Sequence, residues 1–186
     1  MKVAGFDVVT ETGKVRAILG ISPQETAVYA HLSGRENIEF FRSLYSVPKG
    51  VIAKNTTARA ELGLAEDADR RVGKYSGGMK RRVSIAMALV QDPQVVFLDE
   101  STVTMDPQSR RAMWDVIRQL KAEGKTIVLT THYMEEAEEL CDRVGIIDHG
   151  RLIELGTPSE LKAKHGVKTL EDVFLGLTGR TIREGA

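Results

Sequence analysis

The stretch Val95-Val96-Phe97-Leu98-Asp99-Glu100 decides the fold of this 186-residue chain. Its first four residues are all apolar, which is typical of a short strand buried in a parallel sheet. Two carboxylates follow directly. In open parallel sheets, ligands bind at the carboxyl ends of the strands. Because adjacent carboxylates repel each other, the pair also predicts a nearby positive charge. The alternative is a solvated Asp-Glu turn.

Further along the chain, predicted strands and helices alternate. Asp106 and Pro107 predict the N-cap and the first residue of a helix, and Thr157 with Glu160 predicts a capping box at the start of another. Apolar runs predict strands at residues 126–131, 144–147 and 151–155, with an acidic helix at 134–141. This alternation predicts an α/β domain with a mostly parallel sheet.

The first half of the chain shows a different pattern. Residues 14–21 predict a strand, whereas residues 35–87 are mainly helical in pattern, with a break at Pro48-Lys49-Gly50. We therefore expect a helical lobe inserted into the α/β body.

The composition limits the classes of partner. Acidic and basic residues balance at 26 each, which gives no reason to expect nucleic acid or an anionic membrane as a partner. The single cysteine, Cys141, excludes an intrachain disulfide framework. No apolar run approaches the roughly 20 residues of a membrane helix. The composition indicates a cytosolic globular protein, and a role at a membrane would require a separate membrane subunit.

The residues around the predicted strand end suit nucleotide hydrolysis. Asp99 would reach Mg²⁺ through water, and Glu100 would orient or deprotonate the attacking water. Gln24, after the first predicted strand, can ligate magnesium or hold the same water; the alternative is an ordinary loop glutamine. His132, at the end of another strand, can donate a hydrogen bond to a γ-phosphate, although a lone histidine is more often structural.

A second predicted phosphate site lies at Ser76-Gly77-Gly78, before an apolar helix. Glycines at a helix start let backbone N–H groups approach an anion closely. Lys80, Arg81 and Arg82 follow in the first turn, where cations oppose the helix dipole unless an anion or an acidic surface lies near. The alternative is a plain glycine turn followed by a solvated basic face.

The order and spacing of these groups resemble the ATP-binding subunits of ABC transporters. Gln24, residues 75–79, residues 95–100, residues 105–106 and His132 are similar to the Q-loop, signature, Walker B, D-loop and H-loop of that family. Four finer stretches are similar to the daunorubicin-resistance type of drug exporter: Leu32-Ser33-Gly34-Arg35-Glu36-Asn37 and residues 75–82, 131–138 and 170–175. The resemblance implies a P-loop NTPase fold, with a RecA-like parallel sheet and an inserted helical subdomain.

The resemblance also implies cofactors and roles. The cofactors would be ATP and Mg²⁺, with Asp99 and Gln24 on the metal side and Glu100, His132 and Gln24 taking part in hydrolysis. A second ATPase subunit in a head-to-tail dimer would present its ATP to Ser76, Gly77 and Gly78. Met79 and Asp106 are two further residues for which the resemblance implies nucleotide binding.

The implied function is ATP binding and hydrolysis for a multidrug or antibiotic exporter. An ABC-2 type membrane permease subunit would form the transport path and hold the chain at the cytoplasmic, inner face of the cell membrane, and no nucleic acid is implied. The implied division is an end of the N-terminal core with the Q-loop at 1–24, a helical signature subdomain at 25–87, a RecA-like core at 88–165 and a C-terminal tail at 166–186.

One motif of the family has no match in the 186 residues. Nothing fits G-x-x-x-x-G-K-[ST]; the nearest piece, Gly124-Lys125-Thr126, has Gln119 in place of the first glycine and precedes a strand instead of following one. The P-loop strand and helix would lie upstream of Met1, so we expect a fragment of a longer gene product. Two alternatives stay open: an inactive relic, and a non-catalytic module that supplies its signature motif to a complete partner subunit.

Two further points bear on function. Ser101 and Thr104 replace the proline and glycine usual in the family, and both changes are expected to alter the loop beside Glu100. A different class, the DNA-repair or translation ABC proteins without a membrane partner, carries long coiled-coil insertions or a second ATPase domain. Neither feature is present in this sequence.

Overall fold

The structure is a computed structural model that describes residues 1–45, 63–103 and 105–179. The chain divides into two compact units, Met1–Thr130 and Thr131–Ala186. The predicted break at Pro48-Lys49-Gly50 and the replacement at Thr104 lie outside the described residues.

The first unit is built around a three-stranded parallel sheet. Its elements are β1 (Lys2–Val3), β2 (Phe6–Asp7), α1 (Thr12–Ile18), β3 (Leu19–Ser22), α2 (Gly34–Leu44), a 3-10 turn (Val72–Lys74), α3 (Gly77–Ala88), β4 (Val95–Asp99), α4 (Pro107–Ala122) and β5 (Thr126–Thr130). Strands β1 and β2 form a separate antiparallel pair. In the parallel sheet the order is β3-β4-β5, so that β4 is the central strand.

The central strand is paired along both edges, and one of its faces is buried. Val96 and Leu98 of β4 are 0% and 1% exposed. The register places Ser22 of β3 opposite Leu98, and Asp99 opposite Thr130 of β5. The carboxyl ends of all three strands therefore meet at one edge of the sheet.

Helix α3 packs tightly against β3. A Cβ atom built on Gly20 would lie 2.2 Å from the carbonyl oxygen of Ala88 at the end of α3. Only glycine allows this approach of helix to strand. Val83, Ile85 and Ala86 of α3 are fully buried, so the helix lies in the core.

Helix α4 has the predicted start and the predicted apolar stripe. The Asp106 carboxylate accepts from the Ser109 N–H over 2.9 Å, and Pro107 is the first helical residue. The buried residues of α4 are Met113, Trp114, Ile117 and Leu120. Local capping and helical spacing therefore suffice to predict this element.

The second unit contains α5 (Met134–Leu140), β6 (Val144–Asp148), β7 (Arg151–Gly156), α6 (Pro158–His165) and α7 (Leu170–Thr178). A cluster of buried apolar residues forms the core among its described residues: Ala137, Ile146, Leu161, Leu170 and Val173. The predicted capping box of Thr157 and Glu160 is present at α6. The stretch at 170–175, which resembles the exporter type, lies in α7, and its Leu170 and Val173 belong to this core.

Two sequence predictions differ from the structure. The predicted strand at 14–21 is wrong for residues 14–18, which are helical, and the strand is confined to Leu19–Ser22. The pattern misled because Val15, the buried residue of α1, lies between two charged residues, as in an alternating strand. Strands β6 and β7 pair with each other as an antiparallel hairpin. The turn at His149 and Gly150 has φ values of 47° and 73°, as a tight hairpin requires.

In the part of the chain that the structure describes, every helix is too short or too polar to cross a membrane.

Candidate functional site

Two predicted site residues meet at the carboxyl edge of the parallel sheet. The Gln24 Nε2 group donates to the Glu100 Oε2 atom over 2.7 Å. Gln24 is exposed and Glu100 is half-buried. The contact follows from the parallel pairing of β3 with β4, because residues that follow the two strands emerge side by side. The sheet thus forms a Gln24–Glu100 pair that can be reached from solvent.

The backbone of Glu100 has an unusual conformation. Its φ angle is 46°, in the left-handed region that residues with a Cβ atom seldom adopt. The Glu100 N–H donates to both the carbonyl and the hydroxyl oxygen of Thr130, each over 3.1 Å. The Thr130 hydroxyl in turn donates to the Asp99 Oδ1 atom. Thr130 therefore holds both carboxylate residues from the neighbouring strand.

A buried arginine lies behind these loops. The Arg81 side chain donates to backbone carbonyls of Pro23, Gln24, Asp99 and Ser101. Burial lowers the pKa of the Arg81 guanidinium, while the Asp99 and Glu100 carboxylates act in the opposite direction. An arginine remains charged after any such shift, so it places a positive charge beneath the carboxylates.

The start of α3 has an ordered geometry. Ser76 is the N-cap, and its Oγ atom accepts from the Met79 N–H over 3.2 Å. A Cβ atom at Gly78 would be 3.8 Å from the nearest atom, Cγ of Met105, which is ordinary contact. Packing against the described residues does not itself require glycine at position 78, although glycine disfavours a helix.

Tyr75 fixes the segment before this helix. Its ring is buried, and its hydroxyl donates to the Asp67 carbonyl. The Arg70 guanidinium lies 5.2 Å from the ring centroid. Burial raises the pKa of the Tyr75 phenol. The Tyr75 side chain thus anchors the start of α3 to residues 67–70.

Asp106 and His132 have local partners of their own. Hydrogen bonds from Ser109 lower the pKa of the Asp106 carboxyl, and helix capping by itself accounts for an aspartate there. The His132 ring lies beside Tyr133, with centroids 4.4 Å apart, and belongs to the second unit. The contacts of Ser76, Met79, Asp106 and His132 with a nucleotide stay predictions.

The donor set fits a magnesium nucleotide better than a metal held by protein alone. Among residues 1–45, 63–103 and 105–179, no three His, Cys, Asp or Glu side chains cluster as a metal site. Mg²⁺ in nucleotide sites takes one or two protein oxygen ligands together with phosphate oxygens and waters. The exposed Asp99 carboxylate and the Gln24 amide carry oxygen atoms of this kind, and their contact with a metal stays a prediction.

Comparison with known proteins decides the family. The family model described as ABC transporter matches residues 2–103. The chain belongs to the ABC transporter family. A linearmycin resistance ATP-binding protein of Bacillus subtilis is 41% identical over 169 residues, covering 90% of this chain and 54% of the relative. A doxorubicin resistance ATP-binding protein of Mycobacterium tuberculosis is 42% identical over 183 residues, covering 98% of this chain and 54% of the relative.

A solved structure confirms the fold. An ATP-binding subunit of an ABC transporter superposes with a TM-score of 0.84 at 23% identity, covering 95% of this chain and 75% of the other. The predicted P-loop NTPase fold of this ABC family member is therefore confirmed. The chain spans about half the length of the curated relatives it matches.

The stretch at 32–37, which resembles the drug exporters, forms the start of α2. In Leu32-Ser33-Gly34-Arg35-Glu36-Asn37, Ser33 and Glu36 form a reciprocal capping box at the start of α2. The Asn37 amide donates to the Ser33 and Tyr29 carbonyls over 2.9 and 3.1 Å, and Asn37 is fully buried. These residues shape the loop between β3 and α2.

Sequence reasoning missed Arg81 and Thr130. The basic triplet at 80–82 indicated an anion or an acidic surface nearby, or a solvated face. The Asp99 and Glu100 carboxylates do act on Arg81, but neither the burial of Arg81 nor its backbone partners were predicted. One signal was available: Arg81, Ile85 and Ala88 have helical spacing, and all three are buried. For Thr130 the signal was a hydroxyl residue one position before the predicted strand end.

Proposed function

We propose that this chain provides the hydrolytic residues and the signature helix of an ATP-hydrolysing subunit of an ABC exporter of the drug-resistance type. The observation that carries the proposal is the contact of Gln24 with Glu100 at the sheet edge, beside Asp99. The names of the two resistance proteins described above support the drug-resistance type.

Glu100 is the proposed general base. Its carboxylate accepts from Gln24. Gln24 would thereby fix the carboxylate while Glu100 orients the attacking water. Asp99 is exposed and is held by Thr130, and we assign it to the metal side. Gln24 donates to Glu100 through its nitrogen, and its amide oxygen is assigned to Mg²⁺. Bound Mg²⁺ would neutralise charge on the phosphates.

The start of α3 is the proposed contact with the ATP of a second ATPase subunit. The first N–H groups of a helix lack partners within the helix and favour an anion. Ser76, Gly77, Gly78 and Met79 lie at that start, in the proposed helical signature subdomain at 25–87. Asp106 of the D-loop and His132 of the H-loop are proposed to contact nucleotide as well.

The proposed setting is a head-to-tail dimer on an ABC-2 type permease. The chain would work at the cytoplasmic face of the membrane, and the loop of Gln24 would transmit the state of the site to the permease. The proposed division keeps a core part at 1–24, a second core part at 88–165 and a tail at 166–186.

The test compares two proteins. One is the 186-residue chain, and the other is a hydrolysing fusion, defined as the same chain preceded by a strand, phosphate-binding loop and helix from a complete ABC subunit. We expect Mg²⁺-dependent ATP hydrolysis by the fusion and none by the chain alone, because the 186 residues contain no P-loop match. Glu100-dependent hydrolysis by the chain alone, or a folded fusion that binds no ATP, contradicts the proposal.

The alternative function is a non-catalytic module that supplies its signature motif to a complete partner. The ordered start of α3 favours it, because the Ser76 cap forms within this chain. Adding the 186-residue chain to a complete subunit would then stimulate the hydrolysis of that subunit. The stimulation would be lost with Gly78→Arg, which blocks the helix start, and kept with Glu100→Gln.

A further inference from the structure

Arg81 lies on α3, one turn after Gly77, and its side chain is only 2% exposed. Arginine is rarely buried unless its donors are satisfied. Arg81 donates to backbone carbonyls in the two loops that carry the Gln24–Glu100 pair. Arg81 thus connects α3, which begins at the proposed signature residues, to the loops that carry the proposed hydrolytic pair.

The contacts are divided between the two loops. In the loop after β3, the carbonyls of Gln24 and Pro23 accept from Nη1 of Arg81, the first of them over 3.1 Å. At the end of β4, Nη2 binds the Asp99 carbonyl and Nε binds the Ser101 carbonyl over 3.2 Å. A guanidinium has five N–H donors in a fixed plane, and four of them are used here.

The chemistry of this site requires arginine. The four carbonyls are reached from three different nitrogens, which a rigid planar group can present at once. A lysine has the same charge but offers all its donors from one nitrogen. A lysine at position 81 can therefore satisfy one loop, but it cannot hold both in the same geometry.

We propose that Arg81 is a positioning residue that fixes the loop of Gln24 against the loop of Asp99 and Glu100 and ties both loops to α3. Because the same helix begins at Ser76-Gly77-Gly78, a displacement of the helix start moves the Gln24–Glu100 pair through Arg81. A ligand at the helix start is thereby coupled to the geometry of the hydrolytic pair. This coupling rests on the proposed function, whereas the fixing of the two loops does not.

Hydrogen exchange of the 186-residue chain, measured without nucleotide by mass spectrometry, tests the proposal. Arg81→Met should speed exchange about tenfold in peptides covering residues 20–26 and 97–103, the change expected for loss of a hydrogen bond that limits local opening. The matched control is Arg82→Met, since the neighbouring Arg82 donates to Ser109 Oγ over 2.8 Å. The control should leave both segments unchanged.

A spectroscopic signature separates positioning from general stability. In NMR spectra, the Gln24 side-chain amide that donates to Glu100 should give a shifted proton resonance. The resonance is assigned by its change in Glu100→Gln. Arg81→Met should abolish this shift, and Arg82→Met should keep it. Arg81→Lys should restore slow exchange in at most one of the two loops, because its donors share one nitrogen.

Two outcomes overturn the proposal: unchanged exchange in both loops of Arg81→Met and Arg81→Lys, or an equal rise along the whole chain with the Gln24 resonance intact. If Arg81→Met does not fold, the exchange rates of Arg81→Lys alone decide whether the proposal stands. Since no nucleotide is used, a chain that fails to support hydrolysis leaves this result unaffected. Failure of the proposed function and failure of this inference are therefore distinguished.

Discussion

The Gln24 side-chain nitrogen lies 2.7 Å from the Glu100 carboxylate, although 76 positions separate the two residues. Parallel pairing of β3 with β4 brings them together, with Ser22 opposite Leu98. The pair depends on the sheet, and its exact geometry depends on the residues that hold each loop. Mutations that disturb those holding contacts should affect hydrolysis before they affect ATP affinity.

Thr130→Val tests the contact that holds Glu100. Valine keeps the shape of threonine but removes the hydroxyl that accepts from the Glu100 N–H and donates to Asp99. In the hydrolysing fusion we expect kcat to fall about tenfold while KM for ATP stays within about twofold, since the lost interactions hold Glu100, the proposed base. Steady-state kinetics with Thr126→Val, an exposed site on the same strand, is the control. An unchanged kcat would show that the hydroxyl is not needed.

Gly20→Ala tests the packing of β3 on α3. The added Cβ atom would meet the Ala88 carbonyl oxygen at 2.2 Å, and such overpacking typically costs about 1–3 kcal/mol. We expect a loss of this size in the free energy of unfolding, measured by urea denaturation of the 186-residue chain. The control is Gly13→Ala in α1, where a Cβ atom would have no neighbour within 4 Å among the residues that the structure describes. Equal stabilities of the two variants would rule out the close approach.

Asp106→Ala should show a pH-dependent loss of stability. Hydrogen bonds from Ser109 lower the pKa of Asp106 from its ordinary value of 3.8. A lowered pKa means that the stabilisation is present above 3.8 and disappears as the pH falls through the lower folded value. The variant should be less stable than wild type at pH 7, and the difference should shrink in acid below the folded value.

Denaturant unfolding at neutral and acidic pH measures this difference. Asp115→Ala on the same helix is the matched control, since its ion pair with Arg118 is exposed and such pairs contribute little. A difference that does not change with pH would contradict the capping role of the Asp106 carboxylate.

Much of the fold could be predicted because its signals are local. The apolar run before Asp99 indicates a buried parallel strand without alternation. The caps at Asp106 and Thr157 depend on side chains within three residues. These features need no knowledge of the rest of the chain.

Other features required the three-dimensional structure. Residues 14–18 carry a pattern too short to distinguish a helix with one buried position from a strand. The contacts of Arg81 span up to 58 positions and those of Thr130 span 30 or 31, so they depend on which strands become neighbours. Long-range hydrogen bonds of this kind leave little trace in local pattern.

We assign the role of general base to Glu100, and ATP binding and hydrolysis by the hydrolysing fusion decide this assignment. Glu100→Gln should bind Mg²⁺-ATP as wild type does and hydrolyse it at least about 100-fold more slowly, because the water loses its base. Glu123→Gln, which changes an exposed carboxylate at the end of α4, should keep both properties. Hydrolysis by Glu100→Gln at the wild-type rate would contradict the assignment of Glu100 and the function built on the Gln24–Glu100 pair.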